Sequence, residues 1–595
     1  MSKCGLTLTF LMLMASGLPA IAAEGLLRPM NLRCEYRQNP LGIDTLQPRL
    51  SWTLEPTDPK VRGQRQTAYE ILAAGSEERL RSDQGDLWDT GTVKSDKSIH
   101  VPYEGKPLGS GMQVWWKVRA WDDHGEPSAW SESAFWSMGL LKAEDWKGKW
   151  IGLEGGEGKP EQLKEAHWVW SSQPGPGTRY FRRTIEIPQD NSVSDALLYL
   201  VGSGASTLYI NGNEVGSAKG LEDPISQDIT QALHSGANIL AVAVSASGDA
   251  PSGLIGALEM ELARGETVVI HTDGQWRVSP AEVPDWDKSE FNDSAWGTAK
   301  VLGEYGMAPW GEVGWAERRV LPARLLRKDF NVEGQVKRAT LYISGLGLSE
   351  PYLNGAKVGD DVLVPALTDY DKRVFYLTYD VTKRLKPGPN AAGVILGNGR
   401  YFAPRNKVPT FMRTFGYPKL LLQLEIEYSD GKVERVVSDG SWKLTSEGPI
   451  RANNEYDGEV YDARQEMEGW SHPGFNDSAW QQAHVVKGPA GVLAAQPIEP
   501  IRVTETLQPI AITQPHPGVY IFDLGQNMVG WCRLTVSGVK GSQVSLRHAE
   551  RLRPDGTLYL DNLRSAKVTD VYTLKGDGTE VYEPRFTYHA SATWN

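Results

Sequence analysis

Cysteine is scarce in this sequence, with three residues in a chain of 595. Cys4 lies in the N-terminal leader, and the other two, Cys34 and Cys532, lie in regions that we assign to different domains. This distribution excludes the disulfide framework by which small secreted domains are held together. No cysteine pair has the spacing of a structural zinc site, and the ten histidines show no metal-ligand spacing either.

Positive charge is not in excess. The formal net charge is -12, with 62 Lys and Arg against 74 Asp and Glu. Binding to the phosphate backbone requires clustered cations, so nucleic acid is not an expected partner. A neutral ligand such as a sugar is compatible with this charge.

Long apolar runs are also missing beyond the first residues. Lys3 precedes an apolar stretch from Leu6 to Leu18, and Ala20 to Ala22 form a small-residue cleavage site. This pattern predicts a signal peptide over residues 1–22 and a periplasmic or secreted protein. The alternative, a membrane anchor, needs about 20 apolar residues, so no membrane insertion is expected once the signal is removed.

Amphipathic helical patterns are weak throughout, whereas strand and turn residues are abundant. The sequence contains 62 Gly, 36 Pro and 21 Trp. Residues 29–142 contain short alternating segments such as Arg49–Leu54, Ala68–Ala73 and Gln113–Trp121. Several short strands bounded by turn residues predict a fibronectin-like or immunoglobulin-like sandwich.

An internal repeat occupies the middle of the chain. Four sequence blocks recur in the same order, which indicates two copies of one domain over residues 145–320 and 323–488. Each copy has an Asn-Gly pair between apolar strands, which is a hairpin signal, and we expect a jelly-roll sandwich of the galactose-binding-like kind. We interpret the FNDSAW blocks as packing motifs whose aromatic residues are buried. The blocks are YINGNEVG (209–216) with YLNGAKVG (352–359), DITQAL (228–233) with DVTKRL (380–385), DGQW (273–276) with DGSW (439–442), and FNDSAW (291–296) with FNDSAW (475–480).

Residues 495–595 are again rich in strand patterns, so the whole chain is predicted to be all-β, a row of tandem β-sandwich modules. The motifs of these modules resemble those of bacterial α-L-rhamnosidases, multidomain glycoside hydrolases of the family 78 type. The motifs are PRLSW (48–52), LWDTG (87–91), TDY (368–370), GNG (397–399), FDLGQN (522–527) and EPRFTYH (583–589).

The resemblance implies the activity and the order of the domains. It implies a concanavalin-like module over 495–595, followed in the family by an (α/α)6 barrel whose two carboxylates hydrolyse terminal α-L-rhamnose with inversion. No position of this sequence matches those catalytic residues, so none is assigned here. After His589 the family pattern predicts GFRYVE, whereas the chain reads ASATWN. Deleting one base from a plausible coding sequence for GFRYVE produces ASATWN, so we hypothesise a frameshift before the barrel; the alternatives are a sequencing error and a natural short form.

Candidate carbohydrate-binding residues lie in two predicted loops of the second repeat copy. Planar polar groups beside an aromatic ring are suited to a pyranose, because they bind its hydroxyl groups while the ring covers its apolar face. The alternative is that both tyrosines pack the edge of the sandwich and Arg373 pairs locally. The candidates are Asp369, Tyr370, Arg373, Asn398, Arg400 and Tyr401.

No cofactor is predicted, with calcium as the one open question. The pairs Asp122 with Asp123 and Asp360 with Asp361 offer the oxygen ligands that calcium prefers, although such pairs are usually turn residues. His548, close to Glu550 in the sequence, is expected to make a structural hydrogen bond.

Three hypotheses follow for function. The first is the non-catalytic part of an α-L-rhamnosidase, inactive alone, with a rhamnose-containing glycoside or polysaccharide as its partner. The second is a freestanding exported carbohydrate-binding protein. The third is a nonfunctional product of low stability with an exposed apolar face.

Overall fold

The computed structural model describes residues 26–153, 161–173, 175–221, 224–246, 251–263, 266–311, 313, 321–403, 415–563 and 566–594. The predicted signal peptide lies outside the described residues. The chain forms two compact units, one up to Asp145 and one from Trp146 onward. Nearly all of the described regular structure is β-strand, which confirms the all-β prediction. Among the described residues, no helix has the length and apolarity needed to cross a membrane.

The first unit is a sandwich of two sheets, which we call the N-terminal sandwich. The sheets have the strand orders β1-β2-β6 and β4-β3-β7-β8, and β5 also pairs with β3. Alternate residues of β7 point inward, so Trp116 is fully buried while Trp115 is half-buried. The elements are β1 Leu27–Cys34, β2 Arg49–Pro56, β3 Ala68–Ala74, α1 Glu77–Arg81, β4 Trp88–Asp89, β5 Val93–Lys94, β6 Val101–Pro102, β7 Gln113–Trp121 and β8 Ala134–Ser137.

The second unit begins with the first copy of the repeat, the first jelly roll. Two six-stranded sheets face each other, with the orders β15-β12-β17-β10-β21, which also carries β18 on β17, and β14-β13-β16-β11-β19-β20. In chain order, the strands of residues 146–320 are β9 Ile151–Gly152, β10 His167–Trp170, β11 Gly177–Ile187, β12 Val193–Gly202, β13 Ser206–Ile210, β14 Asn213–Ala218, β15 Ile225–Asp228, β16 Gly236–Ala246, β17 Leu254–Leu262, β18 Thr267–His271, β19 Arg277–Ser279, β20 Gly297–Thr298 and β21 Lys300–Glu304.

The second copy, the second jelly roll, repeats this topology. Its order β25-β24-β28-β22-β31-β34 matches the second sheet of the first copy strand for strand. Its other sheet, β35-β9-β29-β23-β27-β36, includes β9, from the region that the sequence assigned to the first copy. In chain order, the strands of residues 321–495 are β22 Arg324–Val332, β23 Val336–Leu346, β24 Leu348–Leu353, β25 Ala356–Lys357, β26 Asp361–Val362, β27 Arg373–Asp380, β28 Gly388–Gly397, β29 Lys419–Tyr428, β30 Val433–Val437, β31 Lys443–Thr445, β32 Ile450–Asn454, β33 Gly458–Asp462, β34 Gln481–Gln482, β35 His484–Val485 and β36 Val492–Ala495.

The predicted hairpin turns are confirmed in both copies. Asn211 and Asn354 have φ angles of 52° and 51°, and the glycine after each also has a positive φ, as a type I′ turn requires. Each asparagine also donates to a buried asparagine side chain, at 2.9 Å to Asn238 and 2.8 Å to Asn390. The sequence repeat is therefore also a repeat of side-chain contacts.

The remaining strands form the last module. Its main sheet has the order β32-β33-β42-β41-β44-β39-β38, and β40 pairs with β43. The hairpin β32–β33 was assigned by sequence to the second jelly roll, but β33 pairs in parallel with β42, so this hairpin belongs to the last sheet. The strands are β37 Ile501–Arg502, which pairs with β26, β38 Ala511–His516, β39 Val519–Gly530, β40 Leu534–Ser537, β41 Gln543–Ala549, β42 Thr569–Thr573, β43 Thr579–Tyr582 and β44 His589–Trp594.

Candidate functional site

A cleft of about 830 Å³ lies between the second jelly roll and the last module. One wall is built from loops of the jelly roll and the other from strands β39 to β41, with the connecting segment 501–509 along it. Most of the lining is apolar, including Leu348, Leu367, Phe522 and Met528. Pockets of this size and character are where proteins usually bind small molecules.

A first group of polar side chains lines the cleft. It consists of Tyr370, Arg400, Glu455 and Tyr588. Burial raises the pKa of the Glu455 carboxyl, and the positive charge of Arg400 opposes this rise. Burial also raises the pKa of Tyr588, and the nearby Glu455 raises it further. The group therefore combines a guanidinium, a carboxyl and two phenols, all of which hydrogen-bond to sugar hydroxyls.

An aromatic cluster holds Tyr370 in the cleft wall. Its ring makes edge contacts with Tyr401 and Phe415, with centroids 5.0 Å apart in each case. Only 2% of Tyr370 is exposed, and burial raises its pKa, so its phenol stays protonated and can donate a hydrogen bond. The Nη1 atom of Arg400 is buried and has no hydrogen-bond partner among the described residues, which exclude 404–414.

A second polar group lies on the last module. The Nε1 atom of Trp531 donates to Oε2 of Glu583 at 3.2 Å, and Arg533 pairs with the other oxygen of the same carboxylate. All three residues line the cleft. The indole offers an aromatic surface beside charged groups, the combination that suits a sugar or an aromatic glycoside.

The structure separates the six residues predicted from sequence. Tyr370 and Arg400 line the cleft, whereas Asp369 and Arg373 are exposed and do not line it. The Asp369 carboxylate pairs with Lys372 at 3.0 Å. A sugar-binding role of Asp369 and Arg373 stays a prediction.

Asn398 and Tyr401 are buried behind the cleft wall, at 3% and 2% exposure. The Asn398 side chain donates to the carbonyl groups of Leu321 at 2.8 Å and Asn453 at 3.2 Å. These contacts are those of packing residues, and Asn398 links the GNG loop to strand β32. A direct role of either residue in sugar binding stays a prediction.

The aspartate pairs considered for calcium have protein partners. The carboxylate of Asp122 accepts backbone hydrogen bonds from Leu26, His124 and Glu126 at 2.9 to 3.1 Å. Asp360 pairs with Arg502 at 2.8 Å, and Asp361 accepts from the Tyr379 hydroxyl at 2.6 Å. These contacts match the turn interpretation, and calcium stays the open alternative.

Sequence reasoning missed Glu455, Tyr588 and Trp531. Tyr588 lies in the EPRFTYH motif and Trp531 follows FDLGQN, and these segments served only as motifs of the family resemblance. Glu455 lies in the turn of the β32–β33 hairpin, whose position in the last sheet was not expected. A cluster of polar and aromatic residues in NNEYD (453–457) was the available signal.

Three family models match the chain. Residues 29–142 match the Rha78A-like N-terminal immunoglobulin domain, residues 334–505 the alpha-L-rhamnosidase N-terminal domain, and residues 513–591 the bacterial alpha-L-rhamnosidase concanavalin-like domain. The three matches lie in the N-terminal sandwich, the second jelly roll and the last module.

Curated relatives and solved structures agree with these matches. An alpha-L-rhamnosidase of Streptomyces avermitilis is 41% identical over 585 residues, which cover 95% of this chain and 55% of that protein. The structure of Streptomyces avermitilis alpha-L-rhamnosidase complexed with L-rhamnose has a TM-score of 0.74 at 40% identity, covering 96% of this chain and 55% of that one. The enzyme from Dictyoglumus thermophilum has a TM-score of 0.63 at 32% identity, covering 95% and 46%. The chain thus spans about half the length of these relatives.

Proposed function

Because the chain belongs to the α-L-rhamnosidase family, we propose that it binds rhamnose-containing glycosides as the non-catalytic part of such an enzyme. The proposal includes export to the periplasm or cell exterior by the predicted signal peptide, and no turnover by this chain alone. The cleft is the observation that supports the binding role. It combines apolar walls with the converging groups of Tyr370, Arg400, Glu455 and Tyr588.

The cleft suits a deoxy sugar for a chemical reason. L-rhamnose has a methyl group in place of a hydroxymethyl group, so it presents both an apolar surface and several hydroxyls. The buried Nη1 of Arg400, which has no hydrogen-bond partner among the described residues, gains an acceptor when a hydroxyl oxygen enters, and an unsatisfied buried donor costs about 1–3 kcal/mol. The apolar lining favours a glycoside whose aglycone is aromatic or aliphatic.

Isothermal titration of the full chain with an aryl α-L-rhamnoside tests this proposal. Saturable binding is expected, weakened about tenfold or more by Arg400→Ala and by Tyr370→Phe, which removes only the hydroxyl. Arg373→Ala is the matched control, because it removes an exposed arginine of the same region that does not line the cleft. Absence of binding, or equal loss in the control, would contradict the proposal.

A rhamnosidase assay with the same aryl rhamnoside tests the non-catalytic part of the proposal. No release of the aryl group is expected from the purified chain. Robust turnover that a point substitution in this chain abolishes would overturn it. The second hypothesis, a freestanding binding protein, predicts the same binding and is supported by the same cleft.

A further inference from the structure

Three buried side chains that sequence spacing did not connect meet inside the last module. His548, Asp570 and His589 come from the neighbouring strands β41, β42 and β44, and each is at most 2% exposed. Their potential ligand atoms all lie within 4.8 Å of one another. We propose that these residues form a site for a divalent transition-metal ion, with Zn²⁺ as its occupant.

The distances fit a zinc coordination sphere. Oδ2 of Asp570 lies 3.4 Å from Nε2 of His548 and 3.1 Å from Nε2 of His589. Zinc bonds to imidazole nitrogen and carboxylate oxygen are about 2.0–2.2 Å long, so neighbouring ligand atoms of a tetrahedral site are about 3.3 to 3.5 Å apart. Small side-chain movements therefore suffice to bring all three atoms to one ion.

The surroundings orient the carboxylate for this role. Oδ1 of Asp570 accepts the backbone N–H of Glu459 at 2.9 Å, which fixes the carboxylate plane. The neighbouring strand β41 is held on both sides, by β42 and by β44. Ligands supplied by adjacent strands of one sheet are preorganised, and outer hydrogen bonds of this kind orient metal ligands.

The choice of ion follows from the donor set. Two imidazole nitrogens and one carboxylate oxygen suit zinc, whereas calcium and magnesium prefer oxygen ligands alone. Three protein ligands leave a fourth position for a water molecule. Nε2 of His589 lies 3.2 and 3.1 Å from the two carboxylate oxygens of Asp570, and an imidazole nitrogen binds zinc only when that nitrogen carries no proton.

The ion would tie three strands together. Binding to the folded state alone raises stability, so the role is structural and independent of the proposed sugar binding. The expected result is one zinc ion per chain after purification from a zinc-supplemented culture, measured by native and inductively coupled plasma mass spectrometry. Removing the ion with a chelator should lower the Tm by several degrees, and adding Zn²⁺, but not Mg²⁺, should restore it.

Matched variants locate the ion. Asp570→Asn and His548→Gln should each weaken zinc binding about a hundredfold or more, while His516→Gln, at an exposed histidine of the same module, should retain it. If the buried variants fail to fold, the visible spectrum of the Co²⁺-substituted wild-type chain tests whether the site binds the ion. Nitrogen and oxygen ligands in a four-coordinate site give intense d–d bands. Less than a tenth of an ion per chain, or a Co²⁺ spectrum of the hydrated ion, would overturn the proposal and leave a hydrogen-bonded His-Asp-His cluster.

Discussion

At the scale of single residues, buried charges are held by partners far away in the sequence. Arg182 and Arg327 occupy equivalent strands of the two jelly rolls, and each is 1% exposed. Arg182 pairs with Asp293 and Arg327 with Asp477, the aspartates of the two FNDSAW blocks. The packing interpretation of these blocks is confirmed for Trp296 and Trp480, which are buried, whereas Phe291 and Phe475 are half-buried. The aspartate adds an ion pair that the sequence pattern did not predict.

Another such pair connects the second jelly roll to the last module. Arg585 donates to Oε2 of Glu350 at 2.8 Å and to the Tyr352 hydroxyl at 3.1 Å. Glu350 also pairs with Lys357 at 3.2 Å. Burial alone would raise the pKa of Glu350, but the charges of Arg585 and Lys357 outweigh it and the pKa is lowered.

Arg585→Met should destabilise the chain by about 1–3 kcal/mol, because it leaves the buried Glu350 carboxylate with fewer donors. Because the pKa of Glu350 is lower in the folded chain than in the unfolded chain, the unfolded chain binds more protons between that native pKa and about 4.3. The stability that this carboxylate contributes is therefore fully present above about pH 4.3 and is lost as the pH falls through the native pKa. The variant should therefore show a shallower acid dependence in denaturant unfolding from pH 3 to 6. Arg533→Met, which removes an arginine 61% exposed, should change stability by less than about 1 kcal/mol.

At the scale of elements, the two hairpins of the repeat offer an internal comparison. Gly212 and Gly355 have φ angles of +84° and +85°. A Cβ on Gly212 would meet the flexible Lys288 side chain at 3.2 Å, whereas a Cβ on Gly355 would lie 2.0 Å from the ring of His472. The turns share their sequence and conformation but differ in what packs against them.

Gly212→Ala should cost about 1 kcal/mol, the price of a left-handed conformation for a side chain with a Cβ. Gly355→Ala should cost more, because the His472 ring must also move. Thermal unfolding of both variants measures the difference. In a His472→Ala background the two costs should become equal; a difference that persists there would show that the ring is not its cause.

At the scale of the whole molecule, the second jelly roll and the last module share packing. Phe586 is 1% exposed and packs with Ala323, Ile395 and Ile450. Gly397 at the end of β28 makes room for it, since a Cβ there would lie 2.5 Å from the Phe586 ring. The backbone N–H groups of Arg585 and Phe586 both donate to the buried Glu459 on β33. We infer that these two modules unfold together.

Phe586→Ala should cost about 3–5 kcal/mol, because it leaves a cavity between modules. Hydrogen exchange should speed up in both β28 of the jelly roll and β42 of the last module. Phe330→Ala gives a second test, because Phe330 packs against the core of the second jelly roll and joint unfolding should also speed exchange in β42. Faster exchange in only one module for Phe586→Ala would contradict joint unfolding.

The sequence by itself determined the features that depend on local chemistry. The Asn-Gly turns, the two repeated domains and the all-β class follow from turn preferences and strand alternation, which act over a few residues. The family motifs also indicated the relationship to α-L-rhamnosidases.

Only the tertiary structure decided which distant segments meet. It placed β9 in the sheet of the second jelly roll, moved β32 and β33 into the last sheet, and brought Glu455 beside Arg400 in the cleft. It also gathered His548, Asp570 and His589 from three strands. These contacts depend on how hydrophobic faces pack between segments that are distant in the chain, and no local pattern encodes that pairing.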